Sequence, residues 1–119
     1  MLPEQRFTDT DACAQLVVER LGADLRVAAP LGLGKPHGLL NALYGLMQVD
    51  TWRSMTLYTA LSLTRPRPRN SLEARFLDPF VERHFGADYV DPQYALDQIQ
   101  GKLPPNVAVH EFYMQSGAL

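Results

Sequence analysis

The chain has 119 residues, 46% of them apolar and 20% charged, with a formal net charge of −2. That size and balance describe one globular domain with its own core, and the slight acidity excludes a global basic field for nucleic acid or an anionic membrane. A single cysteine, Cys13, excludes an internal disulfide and fits a reducing, cytoplasmic setting. No apolar run approaches the roughly 20 residues of a membrane span, and "MLPEQRFTDTD" carries acids where a signal peptide needs an apolar stretch.

Thr8, Asp9 and Thr10 offer N-caps for a first helix, with Cys13, Leu16, Val17, Arg20 and Leu21 as its stripe and Gly22 as its stop. "DLRVAA" (Asp24 to Ala29) reads as a short buried strand. A turn rich in glycine follows, "PLGLGKPHG", and Pro36 suits the first position of a second helix. Leu40, Leu43, Tyr44 and Met47 give that helix its apolar stripe. "MTLYTAL" (Met55 to Leu61) favours a second strand.

Alternating prolines hold "TRPRPRN" extended. Asn70 and Glu73 then form a capping box for a helix at "SLEARFL". Asp78-Pro79 restarts or kinks that helix, and its apolar face continues through Phe80, Val81 and Phe85. Asp91-Pro92 opens a further short helix that Gly101 ends, and "NVAVHEFY" (Asn106 to Tyr113) reads as a third strand. The order α-β-α-β-α-α-β specifies a single α/β domain over 1–119, with an open, mainly parallel sheet of about three strands and flanking helices. So small a sheet, followed at once by "MQSGAL", suggests a fragment of a longer protein.

The glycine turn admits two readings. A strand feeding a helix through such a turn leaves the first N–H groups of the helix unpaired, and with the helix dipole they attract an anion. Gly32 and Gly34 permit positive φ and close approach by a ligand, and Lys35 adds charge. Equally, the turn is a plain bend eased by glycine. The dinucleotide fingerprint fails, because Gly32, Gly34 and Gly38 are spaced one residue too wide and no acid ends the second strand. The Walker pattern fails too, with Ala29 and Pro36 at two of its required positions.

Arg65, Arg67 and Arg69 alternate with proline, either as guanidinium groups presented to an anion or as a solvated, stiff surface loop. The loop follows the second strand, which sets it at the carboxyl edge of the sheet, beside the glycine turn. The histidines at 37, 84 and 110 are too scattered for a metal site. His37, at a helix start, is expected to be neutral; His84 and His110 read as structural. Cys13 reads as a core residue. No close carboxylate pair or G-x-S-x-G elbow supplies a catalytic base or nucleophile.

"RVAAPLGLGKPHGLLNALY" resembles the start of the acetyl-CoA hydrolase/transferase family, relatives of the 4-hydroxybutyrate and succinyl-CoA:acetate CoA-transferases. Members similarly open with a strand, a G-x-G-K-P/A turn and a helix of the "LLNALY" type. "LYTALSLTRPRPRNSLEARFLDPFVERHFG" and "GKLPPNVAVHEFYMQSGAL" are similar to segments that follow, so the likeness runs from about Ala12 onward. The resemblance implies a CoA-transferase-like open parallel sheet, placed as the N-terminal part of a longer protein, and a coenzyme A thioester as substrate, with no permanently bound cofactor. The partners it implies are an acyl-CoA, a small carboxylate and a missing C-terminal domain. In the family a glutamate attacks the thioester, giving an acyl anhydride and then a glutamyl-CoA intermediate. That glutamate belongs to a later domain; neither Glu73 nor Glu111 matches it, so no catalytic residue is assigned in this chain.

The resemblance maps Gly32, Gly34, Lys35 and Pro36 to the edge of the substrate cleft, which sets His37 near the carboxylate or thioester; Arg65 and Arg67, on their own charge and spacing, are candidate anion contacts. Two other functions remain open from the residues alone. One is a non-catalytic module binding a phosphate or CoA-type small molecule; the other is a structural or homo-oligomerising domain, since a small open sheet exposes an edge.

Overall fold

The computed structural model describes residues 4–86, 88–112 and 117. Tyr113 at the end of the expected third strand, and residues 114–116, 118 and 119 of the closing segment, lie outside the described residues. The elements are α1 (Thr10–Leu21), β1 (Asp24–Ala28), a 3₁₀ turn (Gly32–Gly34), α2 (His37–Val49), β2 (Ser54–Ala60), α3 (Ser71–His84), α4 (Gln93–Ile99) and β3 (Val107–Phe112). The three strands form one open sheet in the order β1-β2-β3, parallel throughout. The fold is α/β, as the order of elements implies.

Strand register builds the core in rows. Leu25 pairs with Met55 and Met55 with Val107, while Val27, Leu57 and Val109 form the next row toward the carboxyl ends. These side chains share one face, since residues two apart on a strand point the same way. They pack with Ala14 and Val18 of α1, Leu40, Leu43, Tyr44 and Met47 of α2, and Tyr94 and Ala95 of α4. The four residues expected as the α2 stripe are all buried. The intervening strand residues point to the other face, where Tyr58 stacks on His110 with ring centroids 5.2 Å apart. Tyr58 and Phe112 are about half exposed there.

Polar side chains lock α4 to α2. Asn41 of α2 donates to the Asp91 carbonyl and accepts from the Gln93 N–H, satisfying one of the open donors at the start of α4. The Tyr44 hydroxyl donates to the Asp97 carboxylate at 2.6 Å. Burial and that acidic acceptor both hold the Tyr44 pKa above its ordinary value.

Four local details differ from the sequence reading. In α1 the buried line is Ala14 and Val18; Cys13, Leu16 and Val17 flank it half-buried, and Leu21 is exposed. Small Ala14 lets α1 approach α2 closely, which rotates the helix by one residue relative to the expected stripe. The Pro36 ring precedes α2 as its N-cap, with His37 the first helical residue. Of the expected capping box, Asn70 accepts from the Glu73 N–H at 2.8 Å, but the Glu73 carboxylate returns to the Arg69 N–H. Finally, α3 runs unbroken through Pro79 from Ser71 to His84. The N–H that proline lacks would have met the Arg75 carbonyl; Arg75 and Pro79 are both exposed, so solvent can take that carbonyl.

Candidate functional site

The glycine turn joins the carboxyl end of β1 to α2. Ala29 extends the ladder by donating to the Tyr58 carbonyl, and Gly32 then donates to the Leu61 carbonyl just beyond β2. Gly32 has φ of 56°, a left-handed value at which side chains are strained. A Cβ there would meet only Leu61 and Leu63 side-chain carbons at ordinary contact distance, so conformation rather than space calls for glycine. Gly34 has no such φ. Of the two glycines read as enabling the turn, Gly32 alone uses that freedom.

Lys35 is only 4% exposed. Its ammonium reaches across the sheet edge and donates to the carbonyls of Ala60 and Leu61, the latter at 3.0 Å. Burial lowers its pKa, an effect that nearby Glu111 partly offsets. Leu61 takes φ of 44°, the one positive value among described non-glycine residues. Its carbonyl therefore receives two donors, Gly32 N–H and Lys35 Nζ, and the chain turns sharply after β2. Ser62 is thereby set with its N–H on the Glu111 carboxylate at 2.5 Å and its hydroxyl 2.6 Å from the Tyr94 hydroxyl. Buried Thr59 donates to the Pro30 carbonyl at 3.3 Å, a second tie between β2 and the turn.

His37 occupies the first position of α2, which has no side-chain cap. Its ring meets Tyr89 edge-on at 5.0 Å, and its buried Nε2 has no partner among the described residues. Burial lowers its pKa and the Lys35 charge adds to this, against an opposing effect of Asp91. Burial first and the Lys35 charge second thus favour the neutral ring.

Because the folded chain binds this proton less readily, stability falls as pH drops from the ordinary 6.5 through the lowered pKa. The wild-type acid-side loss between those values should be shallower in His37→Gln, measured as denaturation midpoint against pH. An identical slope in both proteins would refute the assignment.

The arginine loop closes the other side. The Arg65 N–H donates to Asp91 Oδ1 at 2.6 Å, and its guanidinium Nη2 donates to the Tyr89 carbonyl. Arg65 Nε is buried without a partner among the described residues. Arg67 pairs with Asp91 Oδ2 at 3.3 Å from an exposed position, whereas Arg69 pairs with Glu73 farther out. The Tyr89 hydroxyl donates to the Leu63 carbonyl, which wedges the ring between His37 and the Arg65 loop.

The structure therefore brings Gly32, Lys35, His37, Arg65 and Arg67 to one region, the carboxyl edge of β1 and β2. Open parallel sheets place ligands at that edge. Lys35 spends two of its three N–H donors on backbone carbonyls. The region sets Lys35, Arg65 and Arg67 beside the carboxylates of Asp91 and Glu111, and two buried nitrogens, those of His37 and Arg65, have no partner among the described residues. Among the described residues no group of three or more His, Cys, Asp or Glu is placed to hold a metal.

Sequence reasoning missed Tyr89, Asp91, Ser62, Tyr94 and Glu111. Asp91-Pro92 signals a helix start in the sequence, yet the Asp91 carboxylate serves the arginine loop. No family model matches the chain, and neither the curated proteins nor the solved structures give a match.

Proposed function

We propose that the carboxyl edge of this sheet is one wall of a cleft that takes an acyl-CoA thioester and a small carboxylate. On this reading the chain is the N-terminal α/β part of an acetyl-CoA hydrolase or CoA-transferase. What carries the reading is the convergence of the two segments that bear the family resemblance. The turn at Gly32–His37 and the loop at Arg65–Arg67 meet around Tyr89, although 28 positions separate His37 from Arg65.

On this reading the contacts take the following roles. Lys35 fixes the wall by holding the exit of β2 and keeps one donor for the ligand. The open N–H groups at the start of α2, with Arg65, face negative charge on a carboxylate or thioester oxygen. His37, neutral, offers a hydrogen bond through Nε2 and adds no charge. The chain contributes no nucleophile; a glutamate outside it would form the glutamyl-CoA intermediate, with water or a carboxylate resolving it. The setting proposed is cytoplasmic.

The test is an assay of the longest native polypeptide containing this chain, following free CoA released from acetyl-CoA and CoA moved to acetate. Activity in either assay, with KM raised about tenfold by Arg65→Lys and kcat less affected, supports the reading. Absence of both activities overturns it. Titration calorimetry of the 119-residue chain with CoA, acetyl-CoA and inorganic phosphate separates the alternative: stoichiometric binding by the chain alone favours a self-sufficient anion-binding module.

A further inference from the structure

We propose that α3 is a self-association surface, which pairs antiparallel with the same helix of a second copy of this chain. Three observations lead there, and none depends on the reading of the carboxyl edge.

The first is that α3 has no buried residue over its 14 positions, although it carries Leu72, Phe76 and Phe80 at exposures of 63%, 77% and 48%. A helix of about 14 residues gains most of its stability from a packed face. The proline-stiffened loop before it, pinned through Arg65 and Arg67 to Asp91, holds it away from the sheet. The radius of gyration is 16.6 Å, where a compact chain of this length has about 13.5 Å.

The second is the stripe itself. At about 100° per residue, Leu72, Phe76, Phe80 and Arg83 fall within roughly 80° of helix surface, a continuous seam about 15 Å long.

The third is the pattern of charge beside that seam. Glu73 and His84 lie on one flank, Arg75 and Glu82 on the other. In an antiparallel pair centred near Asp78, residues on the same flank meet across the two-fold axis. Phe76 then packs on Phe80 of the second copy, Glu73 faces its Arg83 and His84, and Arg75 faces its Glu82. Both flanking carboxylates, Glu73 and Glu82, then meet an arginine of the second copy. Among the described residues Arg75, Glu82 and Arg83 make no ion pair within the chain. An isologous contact of this kind closes as a dimer.

One helix pair covers less than the roughly 800 Å² per partner of a standard interface, so the dimer is weak and populated only at high concentration. Sedimentation equilibrium of the chain over a range up to about millimolar reads it directly. Wild type should move from monomer to dimer. Joint replacement of Phe76→Ser and Phe80→Ser should leave a monomer whose tyrosine and tryptophan bands in near-ultraviolet circular dichroism are unchanged, since neither phenylalanine side chain is buried. Arg75→Glu alone, or Glu82→Arg alone, sets two like-charge contacts in the dimer and should raise its dissociation constant about tenfold. The double reversal should return it to within about threefold of wild type.

A chain that stays monomeric throughout overturns the proposal, as does a double reversal no better than either single one. So does a dimer indifferent to the phenylalanine changes but lost on Tyr58→Glu, which would place the contact on the outer face of the sheet.

Discussion

Lys35→Met lowers the stability of this chain by about 2 kcal/mol, seen as a fall of roughly 8 °C in the thermal midpoint. Methionine keeps most of the apolar stem and removes the ammonium. The loss is that of two hydrogen bonds from a charged donor to the carbonyls of Ala60 and Leu61. Each is worth about 1.5–3 kcal/mol, and relief of the cost of burying the charge offsets part of the sum. Leu61 keeps its bond from Gly32, so the turn after β2 loosens without coming undone.

The pH dependence gives an independent check on the same substitution. Burial lowers the Lys35 pKa, so between that value and the ordinary 10.5 the unfolded chain binds more protons than the folded one. Stability from this group therefore rises with pH across that window. The rise should be present in wild type and missing from Lys35→Met. If the two proteins melt together at all pH values, Lys35 is not the tie that the geometry describes.

Asp91→Ala frees the arginine loop and costs about 2 kcal/mol. The Asp91 side chain is 13% exposed and accepts from the Arg65 N–H and from Arg67. The pair with exposed Arg67 contributes little. The larger part of the cost comes from the half-buried Arg65 N–H, which loses its acceptor. Asp91→Asn keeps an acceptor oxygen and should cost less than half as much. Trypsin supplies a second readout: of the loop's arginines, Arg69 alone is not followed by proline, so cleavage after Arg69 should accelerate in Asp91→Ala and little in Asp91→Asn. In both variants the His37 pKa should fall further, because Asp91 is the charge that raises it. An unchanged His37 titration by NMR would break the link drawn between helix start and arginine loop.

Much of the fold was legible because local signals agreed with one another. Asp9 and Gly22 bound α1 as their types suggest, one accepting an N–H and the other taking φ of 83°. The α2 stripe and the three strands were legible as well, since period and branching point the same way. Where they failed, a neighbour decided. The buried line of α1 follows from contact with α2, and a cysteine-to-leucine stripe gives no hint of that rotation. In α3 the pattern of a core-facing helix was present, but the pinned loop carries it outward, so its apolar residues meet solvent.

The site divides in the same way. Gly32, Lys35, His37 and the arginines could be singled out because they follow strands, at the edge where a parallel sheet opens, although a plain turn and a solvated loop explain the same residues. Their partners could not. Asp91 and Tyr89 lie at least 20 positions beyond Arg65 and 50 beyond His37, and nothing in a linear pattern pairs an Asp-Pro helix start with an arginine loop.

The sequence by itself determined the parallel α/β order, the strand-to-helix turn and the places where charge would gather. Only the tertiary structure decided that Lys35 turns inward to backbone carbonyls and that Tyr89 separates His37 from Arg65. It also decided that α3 stands free. The physical reason is that periodicity and capping act over a few residues, whereas the direction of a long side chain depends on which carbonyls and carboxylates the folded chain brings within reach.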